Sequence, residues 1–199
     1  MVGGTGLYIQ AFCEGIDLIP PVNQTIREDI IDQYSNKGPE WLEDQIRIND
    51  PEFFTHGEMK NPQRMMRALE VKLSTGLSIL QYHSGKKTQR DFKIQKFGLQ
   101  LPRNELINRI DNRIETMMLT GLLKEAEQLY TFKHLNALQT VGYRELFDYL
   151  DNLTSLDEAV EKIKINTRRY AKRQMTWFRK DETIIWKHPE DSLIPDQLL

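Results

Sequence analysis

The spacing of apolar residues divides the chain into a helical stretch, a short strand and a second helical stretch, with glycine and proline at the joints. Residues 1–4 read as the end of a short buried strand entering a glycine turn, and residues 5–12 as the helix that follows. Pro20, Pro21 and Asn23 punctuate the chain. A polar helix is expected over residues 24–34, and a second after Pro39, carrying Trp41, Leu42, Ile46 and Ile48. Asn61 and Pro62 open another helix, with proline where its missing N–H costs nothing, and Met65, Leu69 and Leu73 give it an apolar stripe. Residues 22–82 therefore read as a compact helical unit.

Residues 85–89 form a basic polar loop, and residues 92–101 alternate well enough for a strand through Phe92, Ile94, Phe97, Leu99 and Leu101. Pro102 opens a helix with Leu106, Ile110, Ile114 and Met117 on one face, and beyond Gly121 another helix runs to about Tyr130. A loop over residues 131–142, a short helix over 143–150, a long helix over 157–179 and a last strand over 183–186 complete the chain. A strand opening at residue 1 with no earlier element to pair with suggests a sequence that starts inside a fold.

Composition narrows the class. With 28% charged and 39% hydrophobic residues the chain reads as an ordinary globular protein, and no apolar run approaches a membrane span. The first dozen residues lack the basic and apolar regions of an export signal. One cysteine, Cys13, excludes an internal disulfide, and His56, His83, His134 and His188 lack ligand spacing. A reducing compartment follows as an expectation, the cytoplasm being the simplest.

Net charge is only −2, but its distribution is uneven. Residues 145–161 hold six acids and no base, whereas residues 162–180 hold eight bases and no acid. At the helical period, Ile163, Thr167, Tyr170, Ala171, Gln174, Trp177 and Phe178 share one arc of the long helix. Lys162, Lys164, Arg168, Arg169, Lys172, Arg173, Arg179 and Lys180 take the other. Such a face suits phosphates, and a solvated face paired with the upstream acids fits equally. Arg64 and Arg67 share one side of their helix, and Arg109 and Arg113 flank an apolar stripe; anion binding and ion pairing both fit each pair. The turn Gly3-Gly4-Thr5-Gly6 suits close ligand approach. Gln139, Thr140, Val141, Gly142, Tyr143 and Arg144 bring glycine, an aromatic ring and a cation to a helix start.

Taken in order, five strings resemble the tRNA dimethylallyltransferase (isopentenyltransferase) family: VGGTGLYIQA at 2–11, NPQRMMRALEV at 61–71, RIDNRIETMMLTGLLKEA at 109–126, TVGYRE at 140–145 and TRRYAKRQMTWFRK at 167–180. The resemblance implies a predominantly helical α/β protein. Residues 1–21 and 83–199 would form part of a P-loop-type α/β core, and residues 22–82 an inserted helical tRNA-binding domain. It further implies transfer of a dimethylallyl group from dimethylallyl diphosphate to N6 of a flipped-out adenosine beside the anticodon (A37), aided by Mg2+. The expected partner is a tRNA anticodon stem-loop, and the expected state a monomer.

By motif match, Thr5 lies at the channel near the adenosine and Arg113 contacts the diphosphate, with Arg109, Gly3 and Gly4 also on the substrate side. The residues matching tRNA contacts are Thr5, Arg27, Gln63, Arg64, Met65, Met66, Arg67, the segment from Gln139 to Arg144, and Lys172, Arg173, Gln174, Met175, Thr176, Trp177, Phe178 and Arg179. Family members begin with a phosphate loop ending in Lys and Ser or Thr, and then a segment with an aspartate base. These 199 residues carry neither, so the expectation is that they are inactive by themselves. Two other functions remain open: an adenylate isopentenyltransferase acting on a free nucleotide, and a helical RNA-binding module without chemistry.

Overall fold

The computed structural model describes residues 1–191, and residues 192–199, which the expected core region includes, lie outside it. The chain forms two compact units: Met1–Ile9 with Phe92 onward, and Gln10–Asp91. Helix α1, Gly6–Glu14, crosses the division. Residues 22–82, expected as a helical unit, fall within the second.

That second unit is built from α2 (Gln24–Asn49), α3 (Pro51–His56), α4 (Pro62–Thr75) and α5 (Ile79–Tyr82). The two expected helices over residues 24–34 and after Pro39 adjoin as α2, broken at Gly38, whose φ of 80° suits a residue without a Cβ. Pro39, which has no N–H to donate, resumes the helix there. Helix α4 starts where Asn61 Oδ1 accepts the N–H groups of Gln63 and Arg64, and stops at Gly76, φ 77°. Its buried face is wider than the expected stripe: Met66, Ala68 and Val71 join Met65 and Leu69, packing on Ile30, Leu42 and Ile46 of α2, while Leu73 is 46% exposed. Asp50, 1% exposed, caps α3 through the Phe53 N–H.

The first unit holds β1 (Lys96–Leu99), α6 (Arg103–Leu119), α7 (Leu122–Leu129), α8 (Tyr143–Leu150), α9 (Leu156–Phe178) and β2 (Ile184–Lys187). The strands pair in parallel, Lys96 opposite Ile184, and parallel neighbours require the long crossover that α6 to α9 supply. Gly98 leaves room for the Trp186 ring, which any Cβ there would strike. Lys96 Nζ meets Asp181 Oδ2 at 2.6 Å, tying the two strand entrances together. The helices share a core of Ile110, Ile114, Leu122, Ala126, Leu146, Phe147, Ala159 and Ile163. A capping box starts α9: Ser155 Oγ accepts from the Glu158 N–H, and Glu158 accepts from the Ser155 N–H.

Two expected strands differ. Residues 1–4 are not a buried strand: Met1 is 72% and Val2 101% exposed, and the described sheet, β1 beside β2, does not include them. A strand needs a neighbour to share its backbone hydrogen bonds, and apolar character does not supply one. Of residues 92–101 the strand itself holds Lys96–Leu99, and the Gln100 N–H adds a bond to the Lys187 carbonyl at 2.9 Å; Phe92 and Ile94 are 48% and 36% exposed. Among the described residues no helix is long and apolar enough to cross a membrane.

Candidate functional site

The first and last motifs meet in the first unit. Gln174 Nε2 on α9 donates to the Gly4 carbonyl at 2.9 Å, across 170 residues of chain. One turn on, the Trp177 indole lies over Gly6, at the place a Cβ would occupy. Glycine at residue 6 is thus required by close approach rather than by backbone angle. Thr5 stands exposed between these contacts, and its carbonyl accepts the first N–H groups of α1, from Tyr8 and Ile9. Gly3 is exposed with open space around it.

Helix α9 is anchored beside α6 by charge as well as by Ile163. Lys164 reaches Glu115 at 3.2 Å and Glu161 at 3.0 Å, and Arg168 makes a two-pronged pair with Asp111. Lys164 is held protonated, its pKa raised by the hydrogen bond to Glu161 and then by that to Glu115. These pairs join residue 111 to 168 and 115 to 164, so the helices run antiparallel. Two of the eight expected phosphate-facing cations are therefore committed to packing. Conversely Tyr170 and Trp177, expected to pack, are 41% and 40% exposed. Helical periodicity omits the acids on α6 that draw Lys164 and Arg168 inward, and Trp177 packs on Gly6 with part of its indole still exposed.

Six of the cations stay exposed, none with an ion pair among the described residues; Lys162 and Arg169 lie further back, while Lys172, Arg173, Arg179 and Lys180 gather toward the end of α9. Lys172, Arg173, Thr176, Trp177 and Lys180 line a shallow depression of about 230 Å³, and Arg173 lies 5.6 Å from the Tyr170 ring centre. Met175 and Phe178 are half-buried. On α6, Arg109 pairs with Glu105 at 2.8 Å, while Arg113 is exposed without an ion pair among the described residues.

The turn ahead of α8 is less open than its residue types suggest. Gly142, at φ 109°, gives its N–H to Glu145 Oε2 at 2.8 Å, so that donor is not available to an outside phosphate. Glu145, 2% exposed, accepts from Asn166 of α9 through its other oxygen at 2.7 Å. Tyr143 is no open stacking plate. Its ring stacks on Phe147, centroids 6.2 Å apart, and its hydroxyl donates to Glu125, which raises its pKa. Val141 is half-buried, Gln139 donates to the Lys133 carbonyl, and Thr140 and Arg144 remain exposed. Glu145 and Asn166 escaped the sequence reading, although a Glu three residues after a glycine at a helix start is a capping signal.

In the second unit, Arg64 and Gln63 are exposed at the start of α4. Arg67 pairs with Glu70 at 3.2 Å, and Arg27 lies 3.7 Å from the same carboxylate. Met65 and Met66 are 4% and 5% exposed, so their side chains build the core and offer no surface to RNA.

A helix-rich α/β protein, with a cationic helix end seated on a glycine turn, is a class suited to a polyanionic ligand. A family model described as IPP transferase matches residues 1–181. The chain is 43% identical over 190 residues to tRNA dimethylallyltransferase 1 of Phocaeicola vulgatus, covering 96% of this chain and 63% of that protein. A solved structure of the full-length tRNA isopentenylpyrophosphate transferase from Bacillus halodurans is 32% identical with a TM-score of 0.56, covering 92% of this chain and 57% of that one. In fold alone it also matches a eukaryotic dimethylallyltransferase acting on tRNA, at a TM-score of 0.69 and 23% identity, over 94% of this chain and 50% of that one. The chain belongs to the IPP transferase family. It spans 63% of the length of that Phocaeicola relative.

Proposed function

We propose that this chain is the RNA-holding and adenosine-positioning portion of a tRNA dimethylallyltransferase. The observation that carries the reading is the junction of Gly4, Thr5 and Gly6 with Gln174 and Trp177, bordered by Lys172, Arg173 and Lys180. In the reaction, the adenosine N6 forms a bond to the allylic carbon of dimethylallyl diphosphate as that carbon's bond to diphosphate oxygen breaks, and the N6 proton passes to the aspartate base that the family resemblance implies. Thr5, fixed between two contacts yet exposed, is the hydroxyl at the adenosine, with Gly3 and Gly4 allowing close approach. Arg113, and Arg109 once it exchanges Glu105 for a better anion, face the diphosphate.

The tRNA anticodon stem-loop is held through backbone phosphates by Lys172, Arg173 and Arg179 from this unit, and by Arg27, Gln63, Arg64 and Arg67 from the helical unit. Residues 22–82 serve as the inserted tRNA-binding domain. Thr140 and Arg144 supply the surface of the turn ahead of α8. Magnesium, which the resemblance implies, finds no group of three acidic, histidine or cysteine side chains among the described residues, and no step above is assigned to it. The protein acts in the cytoplasm as a monomer.

A chimera tests the reading. Grafted in place of the matching segment of the Bacillus halodurans enzyme, this chain is expected to support addition of one five-carbon unit to the adenosine beside the anticodon, read by mass spectrometry of digested RNA. A soluble chimera that binds the RNA and adds nothing would refute it.

A further inference from the structure

Glu70 lies on the packed side of α4, 4% exposed, between the core residues Leu69 and Val71, yet both its oxygens turn to arginines. Oε2 accepts from Arg67 Nη1 at 3.2 Å, and Oε1 lies 3.7 Å from Arg27 Nε on α2. The arginine side chains remain 39% and 50% exposed. A carboxylate in such a place is costly unless paired, and here one anion serves two cations. The sharing also works the other way: two guanidinium groups brought together repel, and the buried anion between them removes that penalty. Each arginine turns one of its five N–H donors inward and keeps the rest for an outside anion.

We infer that Glu70 is a positioning residue, holding Arg27 and Arg67 as a preformed fork for the phosphates of the RNA, a role that rests on the RNA-binding reading above. Long side chains fixed before binding lose less freedom on binding, so the fork raises affinity without itself touching RNA. Surface ion pairing between α2 and α4 with no bearing on RNA is the competing account.

The test is binding of a synthetic adenosine-containing anticodon stem-loop to the chain and to Glu70→Gln, Arg64→Ala and Arg27→Ala/Arg67→Ala variants, with thermal melting alongside. Glu70→Gln is expected to weaken binding about tenfold at an unchanged melting temperature. In the Arg27→Ala/Arg67→Ala background it should add nothing. Should Glu70→Gln fail to fold, Glu70→Met, which removes the buried charge at similar volume, takes its place in the same comparison. Parent-like binding by Glu70→Gln while Arg64→Ala binds weakly would overturn the positioning role and leave the RNA reading standing. Parent-like binding by every variant, the Arg27→Ala/Arg67→Ala pair included, would overturn the placement of RNA on the helical unit. An equal loss from Glu70→Gln with and without the two arginines would assign Glu70 to the fold.

Discussion

At the scale of single residues, close approach and shared protons decide what each side chain can do. Gly6 has no Cβ because the Trp177 indole occupies that place, so Gly6→Ala must displace the ring or tilt α1. We expect a loss of about 1–3 kcal/mol in stability by urea unfolding, together with increased Trp177 solvent exposure in fluorescence quenching. Glu145 satisfies Gly142 and Asn166 at once from a buried site, so Glu145→Ala should cost about 1–3 kcal/mol and loosen the turn ahead of α8.

Asp181 offers a pH test. Its pKa is lowered to about 2, chiefly by the hydrogen bond from Lys96 and then by that from Thr183. A carboxyl depressed in the folded state stabilises the protein above its ordinary value near 3.8, and loses that contribution as pH falls toward about 2. Asp181→Asn should therefore destabilise by about 1 kcal/mol at neutral pH, discounted because the pair is partly solvated, and the difference should vanish on titration toward pH 2.

At the scale of elements, local signals are readable in the sequence and distant partners are not. The bounds of α8 follow from its glycine and apolar spacing, and the start of α4 from Asn61 and Pro62. Gly38 and Pro39 mark the break in α2, but they do not reveal that the helix resumes at once, so that its two halves adjoin without a loop. The faces of α9 are half legible: Ile163 packs as its spacing says, but Lys164 and Arg168 turn to Glu115 and Asp111, acids about fifty residues away. Residues 1–4 resemble a strand in composition alone, and strand pairing is a property of two segments. At the candidate site, Thr5 and the exposed cations of α9 are legible as residue types, whereas the contact of Gln174 with Gly4 is not, because nothing local encodes it. Core packing gives a check at this scale: Leu146→Ala, at a fully buried position, should cost about 2–5 kcal/mol in denaturant unfolding.

At the scale of the whole molecule, a net charge of −2 conceals a surface with cations gathered at the end of α9 and on the helical unit. Free adenylate needs neither. A nucleic-acid stem-loop does, because each neutralised phosphate releases counterions and makes affinity depend on salt. The most direct test is the affinity of the chain for an adenosine-containing anticodon stem-loop across a salt series, with AMP as competitor. The account predicts affinity falling with salt at a log–log slope of about −4 to −5, a slope shallower by about one in Lys172→Ala, and no displacement by AMP. Binding indifferent to salt, or abolished by AMP, would contradict it.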